Sequence, residues 1–162
     1  MKRIWAGLVL GAAFAALLLA PAGTAAKTKK VAFTATYAGS AVVNVTDQTA
    51  AISANGTGKG TVLGSGAITG NGTADATQQP CAPFTGPGTM TGTGGTKLTF
   101  TVVNGSQGCG DEQGQVFALS GHANVTGGTG KLLKKPKGLL KFTGVYDRGA
   151  GTFTVKFTGN LA

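Results

Sequence analysis

The chain has 162 residues, of which 29 are glycine and only 12% are charged, with a formal net charge of +9. This length fits one domain, and the absence of a Gly-X-Y period excludes collagen. Hydrophobic residues make up 41% of the chain, which excludes a charged disordered polymer. Abundant alanine, glycine and threonine suit many short strands joined by turns and leave few side chains for catalysis.

The N-terminal segment has the pattern of a secretory signal peptide. Lys2 and Arg3 precede an apolar run over residues 4–20, and small residues follow it. We therefore predict removal of residues 1–26, export by the general secretory route to the extracellular space or the periplasm, and a single mature domain over residues 27–162. An uncleaved anchor is the alternative, because the apolar run is about as long as the shortest spanning helices.

Alternating apolar and polar residues predict half-buried strands along most of the mature chain. The alternation is clearest over residues 31–37 and 115–126. Residues 139–146 and 152–161 flank a turn-forming segment and predict a hairpin. No segment shows a convincing helical period.

About eight or nine such strands predict an all-β fold, namely a single antiparallel barrel, with a sandwich as the alternative. An outer-membrane barrel needs aromatic girdles, but aromatic residues are only 7% of the chain. We therefore expect no stable membrane insertion of the mature protein. Six phenylalanines on apolar strand faces are predicted to be mostly buried: Phe33, Phe100, Phe117, Phe142, Phe153 and Phe157.

Two of the three Asn-Gly pairs of the chain lie inside strand-like segments and are read as turn signals. Asn55-Gly56 predicts a tight turn, because both residues tolerate positive φ. Asn71-Gly72 predicts a turn or a bulge inside another threonine- and glycine-rich strand.

Both cysteines, Cys81 and Cys109, lie in the mature domain among residues typical of loops. In an exported protein an even number of cysteines predicts a disulfide. A metal-binding or reactive pair is the alternative. With His122 as the only histidine, however, no tetrahedral Cys/His set can be completed. We expect neither a metal nor a cofactor.

The C-terminal part of the chain carries a recognisable series of small-residue turns and aromatics. The series is Gly127-Gly128-Thr129-Gly130-Lys131, Gly138, Phe142-Thr143-Gly144, Tyr146-Asp147 and Gly151. Over residues 115–162 it resembles the allene oxide cyclase and dirigent-like barrels, which include uncharacterised secreted bacterial proteins. The resemblance implies the last strands of an eight-stranded barrel. Leu132 departs from the family's usual aromatic, and none of the family's catalytic or substrate-binding residues matches a position here.

Few side chains are candidates for chemistry. Asp111-Glu112 is the only adjacent acidic pair, and such a pair in a glycine-rich loop is usually just solvated. No nucleophile motif such as Gly-x-Ser-x-Gly is present, so we predict no catalytic residue. Tyr37, His122 and Asp147 are the candidates to line a cavity inside the barrel. For His122, a structural role on the polar face of its strand is the alternative.

The sharpest surface feature is a basic cluster within eleven residues that contains no acid. It could hold an anionic cell-surface polymer, an acidic polysaccharide or lipid headgroups, and a solvated face is the alternative. Nucleic acid is not expected as a partner, because no aromatic residue interleaves with these lysines. The cluster consists of Lys131, Lys134, Lys135, Lys137 and Lys141.

Three classes of function remain. The first is a secreted, non-catalytic barrel that binds a small apolar ligand or an anionic polymer. The second is a dirigent- or cyclase-like barrel whose interior guides the reaction of a small molecule. The third is a threonine array for ice binding or adhesion, with Thr89, Thr91 and Thr93 as the candidates for a regular row. Whether the barrel interior is filled or hollow decides most among them.

Overall fold

A computed structural model of the protein describes residues 30–130 and 136–162. The predicted signal peptide, residues 1–26, lies outside the described residues. The fold is all-β, as predicted. Its strands are β1 Val31–Thr46, β2 Thr49–Gly60, β3 Gly64–Asp75, β4 Cys81–Thr91, β5 Lys97–Val102, β6 Gln107–Gly110, β7 Val116–Thr129, β8 Gly138–Asp147 and β9 Thr152–Leu161, with a short 3₁₀ turn at Thr93–Gly95. Within this described part, no helix has the length and hydropathy needed to cross a membrane.

Eight of the strands close an antiparallel barrel. Their hydrogen-bonded order is β3-β2-β1-β9-β8-β7-β5-β4, and β4 pairs with β3 to complete the ring. The short strand β6 follows β5 along the chain and, like β5, lies between β4 and β7 and pairs with both. Closure removes the free strand edges at which sheets aggregate. The predicted barrel is therefore confirmed.

The alternation along each strand decides which side chains face the lumen. In β1, Phe33, Ala35 and Tyr37 are buried, whereas the intervening Thr34 and Thr36 are exposed. A register shift of one residue would turn the threonines inward, so the pattern specifies the pairing strongly. Five of the six phenylalanines predicted to be buried are at most 9% exposed, and Phe117 is half-buried.

Asn55-Gly56 and Asn71-Gly72 do not form turns, whereas the third Asn-Gly pair, Asn104-Gly105, lies in a turn between β5 and β6 with Gly105 at φ 88°. Asn55-Gly56 lies within β2 and Asn71-Gly72 within β3, and the pairing between these two strands continues without interruption through both. The chain reverses instead after β2 at residues 61–63, followed by Gly64 in the left-handed region with φ 72°. The turn prediction was wrong at both pairs.

Close packing between strands explains glycine at position 56. A Cβ atom there would lie 2.5 Å from the carbonyl oxygen of Ala38 on β1, a distance that real Cβ atoms do not reach. Glycine in a strand often marks such a close backbone approach. The residue type is therefore needed for interstrand distance and not for positive φ.

Both β5 and β6 pair with β7, and residues 103–106 interrupt this pairing between them. A serine side chain there forms hydrogen bonds with the backbone of β7 in place of the strand-to-strand bonds. Ser106 is 1% exposed. Its Oγ accepts a hydrogen bond from the backbone N–H of His122 at 3.1 Å and donates to the His122 carbonyl oxygen at 3.3 Å. The Ser106 carbonyl oxygen in turn accepts from the N–H of Phe84 at 3.0 Å. Buried backbone groups at the break are thereby satisfied.

The predicted disulfide between Cys81 and Cys109 is present. The two residues are paired directly across β4 and β6, so they lie in strands and not in the loops that their neighbours suggested. The bridge closes a sequence separation of 28 residues.

Candidate functional site

The lumen is filled at the end of the barrel where β1 begins, which we call the closed end. Large apolar side chains from all around the ring meet there, and none is more than 4% exposed. Such density leaves no space for a ligand. The residues are Phe33, Leu63, Met90, Leu98, Val125, Leu140 and Leu161.

The other half of the lumen is hollow. It contains a cavity of about 180 Å³. One wall is aromatic and connected, since the ring of Phe157 lies 5.4 Å from that of Phe100 and 5.7 Å from that of Phe142 between centroids. These distances are typical of favourable aromatic pairs. The aromatic lining residues are Phe84, Phe100, Phe142, Tyr146, Phe153 and Phe157.

Alanine and glycine take many of the lumen-facing positions on the opposite wall of the cavity, which explains the empty space. Ala41, Ala54, Gly70, Gly72 and Gly86 line it. At Gly70 an added Cβ would have the Pro87 carbonyl oxygen as its nearest heavy atom, at 3.7 Å. That is ordinary van der Waals distance, so the space beside Gly70 is available to a ligand.

The cavity continues toward the end of the barrel where β1 finishes, which we call the open end. Val43, Ile52 and Leu119 line both the cavity and a second space of about 220 Å³ that also contacts Gln79 and Arg148. Apart from the buried Ala50, the side chains that line this second space are half-buried or exposed, in contrast to those at the closed end. An apolar pocket with a few polar groups at its rim is the usual form of a small-molecule site.

The structure does not bring together the three residues predicted to line a cavity. Tyr37 belongs to the packed core, is 1% exposed, and its hydroxyl has no hydrogen-bond partner among the described residues. Burial raises the pKa of this phenol, because it disfavours the phenolate. Asp147 lies at the open end of β8, where its Oδ1 accepts the N–H of Ala150 at 2.9 Å.

His122 lies on the exposed outer face of β7 and not in the lumen. Its neighbours Gly121 and Ala123 occupy the inward-facing positions of the strand, and Ala123 is fully buried. Because side chains alternate along a strand, His122 must then point outward. This placement corrects the expectation that it lines the cavity.

The acidic side chains of the described chain serve its turns. Hydrogen bonds from the Thr77 hydroxyl, the Thr77 N–H and the Gln78 amide lower the pKa of Asp75. In the adjacent acidic pair, Asp111 accepts the N–H of Gln115 at 2.8 Å, and Glu112 is exposed. Over residues 30–130 and 136–162, no group of three or more His, Cys, Asp or Glu side chains is placed to hold a metal ion.

The predicted anion-binding cluster is only partly described. Lys131, Lys134 and Lys135 lie outside the described residues. Lys137 precedes β8 and Lys141 lies on its outer face, and both are exposed. They are on the wall of the barrel, away from the cavity.

The candidate threonine row is interrupted after two residues. Thr89 and Thr91 lie on the outer face of β4, paired with Thr99 and Lys97 of β5. Thr93 lies in the 3₁₀ turn, and its hydroxyl donates to the Leu63 carbonyl oxygen at 3.2 Å. The three threonines therefore do not continue one strand.

The cavity-lining residues were not predicted from the sequence, although a signal was present. Glycine or alanine occupies five of the six lumen-facing positions of β3: Gly64, Gly66, Gly70, Gly72 and Ala74. Small residues at every second position of a strand indicate a lumen wall without side-chain bulk.

Comparison of the chain with protein families, curated proteins and solved structures gave no match. The similarity of residues 115–162 to the allene oxide cyclase and dirigent-like barrels therefore stays a prediction.

Proposed function

We propose that this protein is a non-catalytic binding module that holds a small apolar molecule in the hollow half of its barrel. The observation that carries the proposal is the cavity of about 180 Å³ between an aromatic wall and a glycine-rich wall. Covering the exposed apolar surface of the lumen with a ligand is favourable by about 25 cal/mol per Å² of surface removed from water. A filled lumen would have offered no such surface.

The size and lining of the cavity define the class of ligand. A dry apolar cavity of about 150 Å³ in another protein takes up benzene, so this one accommodates a single ring or a short branched hydrocarbon. A longer molecule would extend toward the open end, where Gln79 and Arg148 supply polar contacts. We therefore expect a compact apolar ligand with at most one polar end.

The chemistry of the lining favours binding over catalysis. Most lining side chains are aliphatic or aromatic, and none is an acid, a lysine or the histidine. General acid–base catalysis needs a group with a suitable pKa within hydrogen-bond reach of the substrate. Asp75, Asp111 and Asp147 are instead held in turns by hydrogen bonds.

We also propose that the protein acts outside the cytoplasm. The predicted signal peptide over residues 1–26 and the Cys81–Cys109 disulfide both support this, because disulfides persist in oxidising compartments. The N-terminal residue of the exported protein, read by mass spectrometry, tests the predicted cleavage after Ala26.

Filling the cavity from its glycine wall tests ligand binding. Gly70→Leu projects a side chain into the space without meeting backbone at its Cβ. Toluene, a neutral single ring of the size that the cavity accommodates, serves as the probe, and titration calorimetry measures its affinity. We expect Gly70→Leu to weaken probe binding by about tenfold or more, as the loss of roughly 1.4 kcal/mol of contacts does.

Thr57→Leu is the matched control, because it adds the same side chain at an exposed position on the outside of β2. Its affinity for the probe should equal that of the unmodified protein. Equal affinity in Gly70→Leu, or no probe binding by the unmodified protein, would contradict the proposal.

A further inference from the structure

The outer wall of the barrel carries two adjacent rows of side chains that only strand pairing brings together. The first row crosses β2, β1, β9, β8 and β7, and the second crosses β1, β9, β8 and β7 immediately beside it. We call these nine residues the lysine face. The first row is Lys59, Thr36, Lys156, Thr143 and Ser120, and the second is Thr34, Thr158, Lys141 and His122.

Every member of the lysine face is a lysine, a histidine or a hydroxyl residue. Eight of the nine are exposed and Thr158 is partly exposed. No acid interrupts either row. The face therefore combines positive charge with hydroxyl donors, which are the groups that proteins use to bind phosphate oxygens.

The spacing of the cations follows from the strand pairing. Lys59 and Lys156 are both paired with Thr36, from its two sides, so they stand about 9.5 Å apart along the row. Lys141 is a diagonal neighbour of Lys156 at about 7–8 Å, and it is paired directly with His122. The cations thus follow a line across the wall at intervals that a linear chain of anionic groups can match.

The acids of the described chain lie at the other end of the molecule. All five occupy turns or strand ends at the open end: Asp47, Asp75, Asp111, Glu112 and Asp147. Separation beyond the Debye length of about 8–10 Å screens them from the lysines. The positive field of the face is therefore not cancelled locally.

We propose that the lysine face binds a linear polyanion that carries phosphate groups. A lipid surface fits it less well, since membrane-bound faces bury a continuous apolar stripe, whereas all nine residues here are polar. Single-stranded nucleic acid fits it less well too, because the nine residues include no phenylalanine, tyrosine or tryptophan ring on which successive bases could stack. The site differs from the predicted loop cluster, with which it shares only Lys141.

Inorganic polyphosphate is the probe that tests the lysine face. Lys141→Gln combined with Lys156→Gln should weaken binding by about tenfold at 50 mM salt and lower the salt slope by about two, one for each lysine lost. Lys97→Gln combined with Arg148→Gln is the control, because it removes the same charge from β5 and from the open end. We expect less than about a threefold effect from the control pair.

Four results would overturn the proposal. The first is no polyphosphate binding by the unmodified protein at low salt, and the second is an equal loss in the two double variants. The third is a loss confined to Lys131→Gln/Lys134→Gln/Lys135→Gln, which would assign binding to the loop. Stronger binding to phosphatidylglycerol vesicles or to a single-stranded oligonucleotide than to polyphosphate would also contradict it. Unchanged melting temperatures show that each variant is folded.

Discussion

The two ends of the barrel follow one pattern of alternation but differ in how their interior is occupied. At the closed end, Phe33, Leu98 and Leu140 fill the lumen and are at most 1% exposed. Toward the open end, inward positions hold Gly70 and Gly72 on one wall and aromatic rings on the other, and a cavity remains. Alternation thus decides which residues face inward, whereas side-chain volume decides whether a lumen is a core or a pocket.

The same contrast separates stability from function. Packing at the closed end supplies the dense contacts on which folding depends. The open half retains apolar surface that is incompletely covered, which is the surface that a ligand would use.

Matched phenylalanine truncations should show the largest difference. Phe33→Ala removes a ring that is 1% exposed and should lower the free energy of unfolding by about 4 kcal/mol. Phe117→Ala removes a half-buried ring near the open end, packed on Tyr146 at 6.2 Å between centroids, and should cost about 1–2 kcal/mol. Urea unfolding measures both, and equal losses would contradict the contrast between the ends.

The disulfide should be the main support of the open end. Replacing Cys81 and Cys109 together by alanine should lower the free energy of unfolding by roughly 3–4 kcal/mol. The reason is that the unfolded chain regains the entropy of the loop that the bond closes, which has a sequence separation of 28 residues. Dithiothreitol should destabilise the unmodified protein by a similar amount and leave the double variant unchanged. Two titratable thiols in the folded, unreduced protein would show that the bond is absent.

Replacing Tyr37 should change the free energy of unfolding least of the three experiments, and only at high pH. Burial raises its pKa in the folded protein above the unfolded value of about 10. The stability linked to its protonated form is complete below about pH 10 and is lost as pH rises through the folded pKa. Tyr37→Phe should therefore flatten the alkaline loss of stability, while its stability at pH 7 stays within about 1 kcal/mol of the original.

Tyr146→Phe is the control for the alkaline experiment, since it removes the only other tyrosine. Unfolding followed between pH 8 and pH 11 compares the three proteins. If Tyr37→Phe loses stability as steeply as the unmodified protein, the buried phenol does not limit alkaline stability.

Local patterns in the sequence predicted the strands and the last hairpin but placed two turns wrongly. Residues 139–146 and 152–161 pair as the expected hairpin, because their alternation and intervening turn residues are local signals. The turn predicted at Asn55-Gly56 was wrong because glycine is needed there for the close approach of β1. The neighbouring residues in the sequence do not reveal this contact between strands. The cysteine pairing was predictable because two cysteines allow only one intramolecular bond.

Residue order alone determined that the chain is all-β, which side chains of each strand turn inward, and that Cys81 and Cys109 pair. Only the tertiary structure decided that the ring closes, that half of the lumen is hollow, and that His122 stands on the outer wall beside Lys141. The physical reason is the distance along the sequence over which each pattern acts. Alternation acts between neighbouring residues, whereas the cavity and the lysine face depend on strand register, which joins residues as distant in sequence as Lys59 and Lys156.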